Sequence, residues 1–297
     1  MAAAILDRTL NWPAPAKINL FLHVIGRRAD GYHLLQTAFQ FLDLCDRLDF
    51  ERRADGRVCR QTDLPGVTED DDLTVRAARL LKAQAGVDAG VSISVTKNLP
   101  VCGGIGGGSS DAATTLVALN HLWGLNLPVA ALTSLGLTLG ADVPIFIHGR
   151  AAFAEGVGEV LTDVTPPEPW YLLLKPACPV PTATVFRDPD LTRNTAPITI
   201  RDFLGGAGRN DCEPVVRRRF PEVGAALDWL AARRPARLTG TGACLFAACD
   251  DERQARDLCA EVPAPWHGHA VRGLNRSPLL DRLERARREA PRGFDGA

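Results

Sequence analysis

The sequence lacks any cysteine grouping at metal or redox spacing. Its eight cysteines, at positions 45, 59, 102, 178, 212, 244, 249 and 259, form no Cys-x-x-Cys and no zinc-finger set with histidine, which argues against structural zinc and dithiol chemistry. Scattered thiols in a chain of 297 residues suit a reducing compartment. A charge bias is missing too: 34 Lys and Arg face 35 Asp and Glu, a formal net charge of −1. No whole-protein field then draws the chain to nucleic acid or an anionic membrane, so an anionic ligand needs a local site. No apolar run approaches the roughly 18 residues of a membrane helix. Asp7 and Arg8 stand where a signal peptide needs an apolar stretch. The expectation is a cytoplasmic protein without membrane or nucleic-acid partners. Internal repeats and low-complexity segments are also missing.

What is present is ample core. Hydrophobic residues make up 46% of the chain, and this length exceeds what one core usually serves, so two domains are expected. The clearest boundary is Thr165-Pro166-Pro167-Glu168-Pro169, where proline removes backbone donors and disfavours helix. The parts are then residues 1–167 and 168–297. Ile18, Leu20, Leu22 and Val24 alternate with Lys17, Asn19, Phe21 and His23, the period of a half-buried strand with Lys17 and Asn19 on its polar face. Val91, Ile93 and Val95 predict another strand running toward Lys97. Ala112, Leu116, Leu119 and Trp123 predict one apolar helix face. Further on, Trp170–Leu174 and Leu245–Ala248 read as strands, Pro221–Ala232 and Glu252–Cys259 as helices. Strands and helices mix without the beat of a doubly wound sheet, which gives an α+β class in both parts.

Between strand and helix lies Pro100-Val101-Cys102-Gly103-Gly104-Ile105-Gly106-Gly107-Gly108-Ser109-Ser110. Glycine lets backbone turn with positive φ and approach a ligand closely. Successive N–H groups can then surround an anion, and the following helix adds its own unpaired N–H groups and dipole. Ser109 or Ser110 is the expected N-cap and Gly124 the expected stop. A Walker A loop needs Lys after its last glycine, where Ser109 stands; the dinucleotide fingerprint needs glycine at that same Ser109. Strand, loop and helix in this order favour phosphate binding over a flexible surface loop.

Five motifs in order carry a resemblance: Pro-Ala-Lys-Ile-Asn-Leu at 15–20, Arg-Ala-Asp-Gly-Tyr-His at 28–33, the glycine loop, Leu-Gly-Ala-Asp-Val-Pro at 139–144 and Leu-Thr-Gly-Thr-Gly-Ala at 238–243. From about residue 11 to about 282 the chain resembles the GHMP kinase superfamily of small-molecule kinases. Tyr32-His33 points to its members that act on a cytidylated polyol. The resemblance implies an N-terminal α+β nucleotide domain, a C-terminal ferredoxin-like domain and a cleft between them. It implies an enzyme, a kinase that uses ATP with Mg2+. The implied acceptor is the 2-hydroxyl of 4-diphosphocytidyl-2-C-methyl-D-erythritol in the non-mevalonate route to isoprenoid precursors. A monomer or homodimer is expected. A kinase for another alcohol, or a nucleotide-binding module without catalysis, are the alternatives.

By the same resemblance Asp142 is the catalytic base, which an alcohol nucleophile requires; on its own it reads more readily as a turn aspartate before Pro144. Lys17 would sit beside it and stabilise charge at the transferring phosphoryl group. Lys97 and the loop from Pro100 to Ser110 would bind ATP. Asn19, Tyr32, His33 and Thr182 would hold the acceptor, the aromatic ring stacking on the base and the imidazole bonding its edge. Gly240 and Gly242 would close the back of the phosphate site. Two positions depart from the family: Cys102 stands where glycine is frequent, and Asp72 where asparagine is frequent, so a donor is lost there. No protein ligand for a metal is assigned. The Arg-rich segment 282–292 reads as a solvated helix end.

Overall fold

The computed structural model describes residues 6–29, 31–101 and 103–289; Cys102 and residues 290–292 of the Arg-rich segment lie outside them. The chain opens with two long antiparallel strands, β1 (Arg8–Arg27) and β2 (His33–Arg53), then β3 (Val58–Arg60), α1 (Leu73–Ala85), β4 (Gly90–Thr96) and α2 (Gly107–Leu122). Next come α3 (Val129–Leu139), α4 (Val143–His148), β5 (Ala152–Glu155) and β6 (Val160–Asp163). Past the proline segment follow β7 (Trp170–Lys175), α5 (Thr182–Phe186), α6 (Ile200–Leu204), α7 (Glu213–Arg219) and α8 (Pro221–Ala231). The chain closes with β8 (Ala236–Leu238), β9 (Leu245–Cys249), α9 (Glu252–Ala260), β10 (His267–Leu274) and α10 (Pro278–Glu289).

A single strand organises the sheet. β1 covers one edge of β2 from Arg27↔His33 to Arg8↔Glu51. The other edge is shared among β5 at Thr37–Phe39, β10 at 41–42 and β4 from Arg47 to Arg53. The sheet thereby runs β3-β4-β2-β10-β7-β9-β8 across both halves of the chain. Pro13 and Pro15 lie inside β1, a strand paired only with β2 among the named strands; an edge position tolerates residues that cannot donate. Register shifts at four places bend β1. The proline segment does not float: Pro166 and Pro167 carbonyls accept from Asn275 at 2.7 Å and Gln40 at 2.8 Å.

Two main cores result. One packs α1 and α2 against β2 and β4 and includes Leu81, Leu116, Phe146 and Ile93; the other packs α7, α8 and α9 against β7 and β9. Each half lends residues to the other: Leu22 and Val24 enter the second core, Leu279 and Ala286 of α10 the first. The Arg-rich segment is a helix end solvated at Glu284, Arg285, Arg287, Arg288 and Glu289, with Arg282 the exception. Arg282 is mostly covered and lies 4.8 Å above the Trp12 ring, its stem covering apolar surface as long cationic side chains do.

The one-faced helix predicted at Ala112–Trp123 is also corrected. α2 is central, with every residue from Ser110 to Asn120 buried. Its two buried threonines find internal partners: the Thr114 hydroxyl donates to Pro13 carbonyl at 3.3 Å, Thr115 to Asp111 carbonyl at 2.8 Å. A hydroxyl bonded inside the protein can be buried at little cost. Trp123 is the C-cap and Gly124 follows with φ 64°. Leu116 is fully buried in the first core. Leu116→Ala should cost about 2–5 kcal/mol in urea unfolding, from lost transfer energy plus the cavity. Val129→Ala, at an exposed site, should shift stability by less than about 0.5 kcal/mol.

Candidate active site

Lys17 is the centre of the site. It sits on β1 only 3% exposed, which a lone ammonium cannot sustain without partners. Its Nζ donates to Asn19 Oδ1 at 2.7 Å and Gly104 carbonyl at 3.3 Å, and pairs with Asp142 Oδ2 at 3.2 Å. The Phe39 ring lies 5.2 Å away. Its backbone N–H donates to Ile105 carbonyl at 3.0 Å, tying strand and glycine loop together. Asn19 is held in turn: its N–H donates to Thr239 Oγ1 and its Nδ2 to Thr37 Oγ1, both at 2.9 Å. Asp142 stands at the start of α4 with its own N–H groups uncapped by its side chain, which leaves the carboxylate turned to Lys17.

The glycine loop enters α2 differently from the expectation. Gly106, at φ +76°, is the N-cap and makes no side-chain bond; Ser109 and Ser110 lie within the first turn. A helix that begins on glycine leaves its first N–H groups without a side-chain acceptor, open to an anion. A Cβ on Gly106 would lie 2.7 Å from Phe146 Cζ, so the position requires glycine sterically as well as by φ. Gly104 packs against the second glycine turn, where a Cβ would meet Thr239 and Gly242 carbonyls at 2.7 and 2.8 Å. The Thr239–Gly242 turn thus backs the loop, with Cys244 N–H donating to Gly103 carbonyl at 3.0 Å.

Two adjoining cavities follow. One of about 380 Å³ is lined by Lys17, Asn19, Gly104, Gly106, Ser109, Asp142 and Thr182. Another of about 630 Å³ is lined by Tyr32, His33, Thr182, Phe186 and Arg193. They share Leu35, Ala141, Val157, Thr182 and Phe186. His33 stacks on Phe186 with centroids 5.1 Å apart and planes at 26°. Burial, then the cations Arg193 and Arg27, hold its pKa below the ordinary histidine value, so the ring is neutral at pH 7. Tyr32 is 63% exposed at the mouth. Thr182 meets Thr241 through their hydroxyls at 3.0 Å.

Some expected residues stand apart. Lys97 Nζ is engaged by Asp46 and by Asp111 at 2.8 Å. Asp46 also accepts from the N–H groups of Asn98 at 2.6 Å and Leu99 at 2.8 Å, fixing the chain's entry into the loop. Val101 is exposed, while Ile105 and the Ser110 side chain are buried away from solvent. Asp72 N-caps α1 through Thr74 N–H at 2.7 Å and pairs with Arg60 at 2.8 Å, a structural use of its carboxylate. Phe186 and Arg193 were not anticipated. Phe186 falls four residues after Thr182, the spacing of one helix face, a signal that was there to read; Arg193 lies in irregular chain without one. Among the described residues no cluster of three or more His, Cys, Asp or Glu could hold a metal ion, and no helix is long and apolar enough to cross a membrane.

Residues 72–150 match the GHMP kinases N terminal domain and residues 191–268 the GHMP kinases C terminal domain. The chain is 57% identical over 276 residues to the 4-diphosphocytidyl-2-C-methyl-D-erythritol kinase of Nitrosococcus oceani, covering 93% of this chain and 99% of that protein. It is 56% identical to the kinase of the same name from Halorhodospira halophila, over 93% of this chain and 97% of the other. A crystal structure of 4-(cytidine 5'-diphospho)-2C-methyl-D-erythritol kinase superposes with a TM-score of 0.76 at 34% identity, covering 89% of this chain and 98% of that one. A mevalonate kinase structure, at 14% identity and TM-score 0.65 over 90% of this chain and all of that one, shares the fold.

The Lys97 cluster has a consequence for stability. Asp111 is buried, and desolvation outweighs the attraction of Lys97, pushing its pKa from 3.8 up to about 7. The native state therefore holds that proton more tightly than the unfolded chain, and stability from this group falls as pH rises from about 4 to about 7. Asp111→Asn should leave the melting temperature at pH 8 equal or higher and flatten that fall. Asp46→Ala, which strips the shared acceptor from the Asn98 and Leu99 N–H groups, should lower it at the same pH. Thermal scans of both variants across pH 4–8 read the difference.

Proposed function

The chain belongs to the GHMP kinases, in the family of 4-diphosphocytidyl-2-C-methyl-D-erythritol kinases, and from that membership we propose that it transfers the γ-phosphoryl group of ATP to the 2-hydroxyl of 4-diphosphocytidyl-2-C-methyl-D-erythritol. The reaction is a step of the non-mevalonate route to isoprenoid precursors, placed in the cytoplasm. The observation that carries this reading is the continuity of the two cavities through Leu35, Ala141, Val157, Thr182 and Phe186. An acceptor with a polyol at one end, a cytosine at the other and a diphosphate between them suits a pocket with Asp142 at one end and an aromatic-lined recess at the other.

The residue roles follow as proposals. The base lies between Tyr32 and Phe186 with its edge on His33; Thr182 and Asn19 face the middle of the acceptor. ATP phosphates rest on the N–H groups between Gly103 and Ser110, at the positive end of α2. Lys97, with Asp46 and Asp111, holds the entry of that loop. The nucleotide is bound by residues 1–167, and residues 168–297 complete the acceptor side. Asp142 takes the hydroxyl proton as the new O–P bond forms and the bond to the β-phosphate oxygen breaks, releasing ADP. Lys17, 3.2 Å from Asp142, brings positive charge to the oxygens that gain negative charge in transfer. Mg2+ fits here: the Ser109 hydroxyl is an oxygen donor on the cavity wall, and ATP phosphates and water would complete the oxygen set this hard cation takes. When bound it supplies neutralisation of phosphate charge.

Asp142→Asn tests the assignment. Loss of the general base should lower kcat by roughly 10²–10⁴-fold, while ATP affinity by calorimetry changes less than about threefold because the carboxylate does not hold the nucleotide base or sugar. Near wild-type turnover would remove Asp142 from the role.

A further inference from the structure

Arg193 makes more hydrogen bonds than its surface position demands. Its Nε donates to His33 Nε2 at 3.1 Å. The other arms donate to the carbonyls of Phe186 at 3.0 Å, Asp188 at 2.7 Å and Leu191 at 3.0 Å. One planar fork therefore ties together the stacked His33 and Phe186 rings, two of the groups that line the base recess. The fork is itself anchored: the Asp188 carboxylate is buried and paired with Arg219 and with Arg218 at 2.7 Å, both on α7.

Chemistry then dictates the imidazole. A guanidinium only donates and is always charged. His33 Nε2 must accept, so the neutral ring carries its hydrogen on Nδ1. The ring can offer a ligand a donor at Nδ1 and no acceptor. Cytosine N3 is an acceptor; uracil N3 carries a hydrogen, and donor would face donor there. A buried donor left unpaired is costly, which is how polar sites discriminate between near-isosteric ligands.

We propose that Arg193 is a specificity-determining positioning residue: by fixing the His33 tautomer and its stack on Phe186, it makes the recess select cytosine over uracil. This rests on the acceptor assignment above. It acts through His33 and touches no reacting atom.

The experiment uses the full chain with its nucleotide site saturated by a non-hydrolysable ATP analogue, and cytidine 5'-diphosphate and uridine 5'-diphosphate as calorimetric probes. Wild type should prefer the cytidine probe. Arg193→Met should reduce that preference at least about tenfold, whereas Arg193→Lys, with one donor and the charge retained, should keep more of it. Nitrogen NMR of the wild type, with His33 signals identified by their loss in His33→Asn, should show hydrogen on Nδ1. In folded Arg193→Met that population should move toward Nε2. A wild-type His33 protonated on Nε2, or an Arg193→Met protein with the wild-type probe preference, overturns the proposal. The wild-type NMR reading decides even if Arg193→Met fails to fold. Cytidine preference without any phosphorylated product would overturn the kinase assignment and leave the base selection standing.

Discussion

The arrangement depends on one buried ammonium. Lys17 is almost fully covered, and a cation there is tolerable only if its three hydrogens meet acceptors. Those acceptors come from three separate pieces of chain: Asn19 on the same strand, Gly104 in the phosphate loop and Asp142 at the head of α4. Satisfying Lys17 therefore places a carboxylate, a glycine loop and a hydrogen-bonding amide in one cavity before any ligand arrives. Catalysis of phosphoryl transfer draws mostly on such positioning and on charge stabilisation. The same contact that makes the fold acceptable is the one the proposed mechanism draws on.

Electrostatics elsewhere follows a similar logic with different outcomes. Lys97 is shared by two carboxylates, and burial works against its charge while Asp111 and Asp46 raise its pKa overall. With two acids on one base, Asp111 keeps its proton toward neutrality. The Arg193 fork belongs to the other half of the pocket and couples the base recess to the second core through Asp188. The two ends of the proposed acceptor thus lie against two different packed units, joined along β1 and β2.

Much of this was legible in the sequence, for identifiable reasons. The strand carrying Lys17 and Asn19 announced itself by alternation, although it is buried on both faces and not half-buried, and the loop by its glycines. The serine caps were misjudged because Ser109 is a good cap by propensity, yet a helix start that is to hold an anion must keep its N–H groups open, and Gly106 does so. The central burial of α2 escaped periodicity because Thr114, Thr115 and Asn120 look like a polar face until their internal partners are known. Arg193 left no trace in pattern at all, since it works through backbone carbonyls that only the folded chain brings near.

The most direct measurement is turnover of the wild-type chain with ATP and Mg2+ across a panel of alcohols: 4-diphosphocytidyl-2-C-methyl-D-erythritol, mevalonate, homoserine and galactose. Phosphorus NMR of the product should show one new phosphomonoester, on the 2-hydroxyl of the cytidylated polyol, with the other alcohols turned over far less. Preferential phosphorylation of any other alcohol, or ATP binding with no phosphorylated product, would contradict the account.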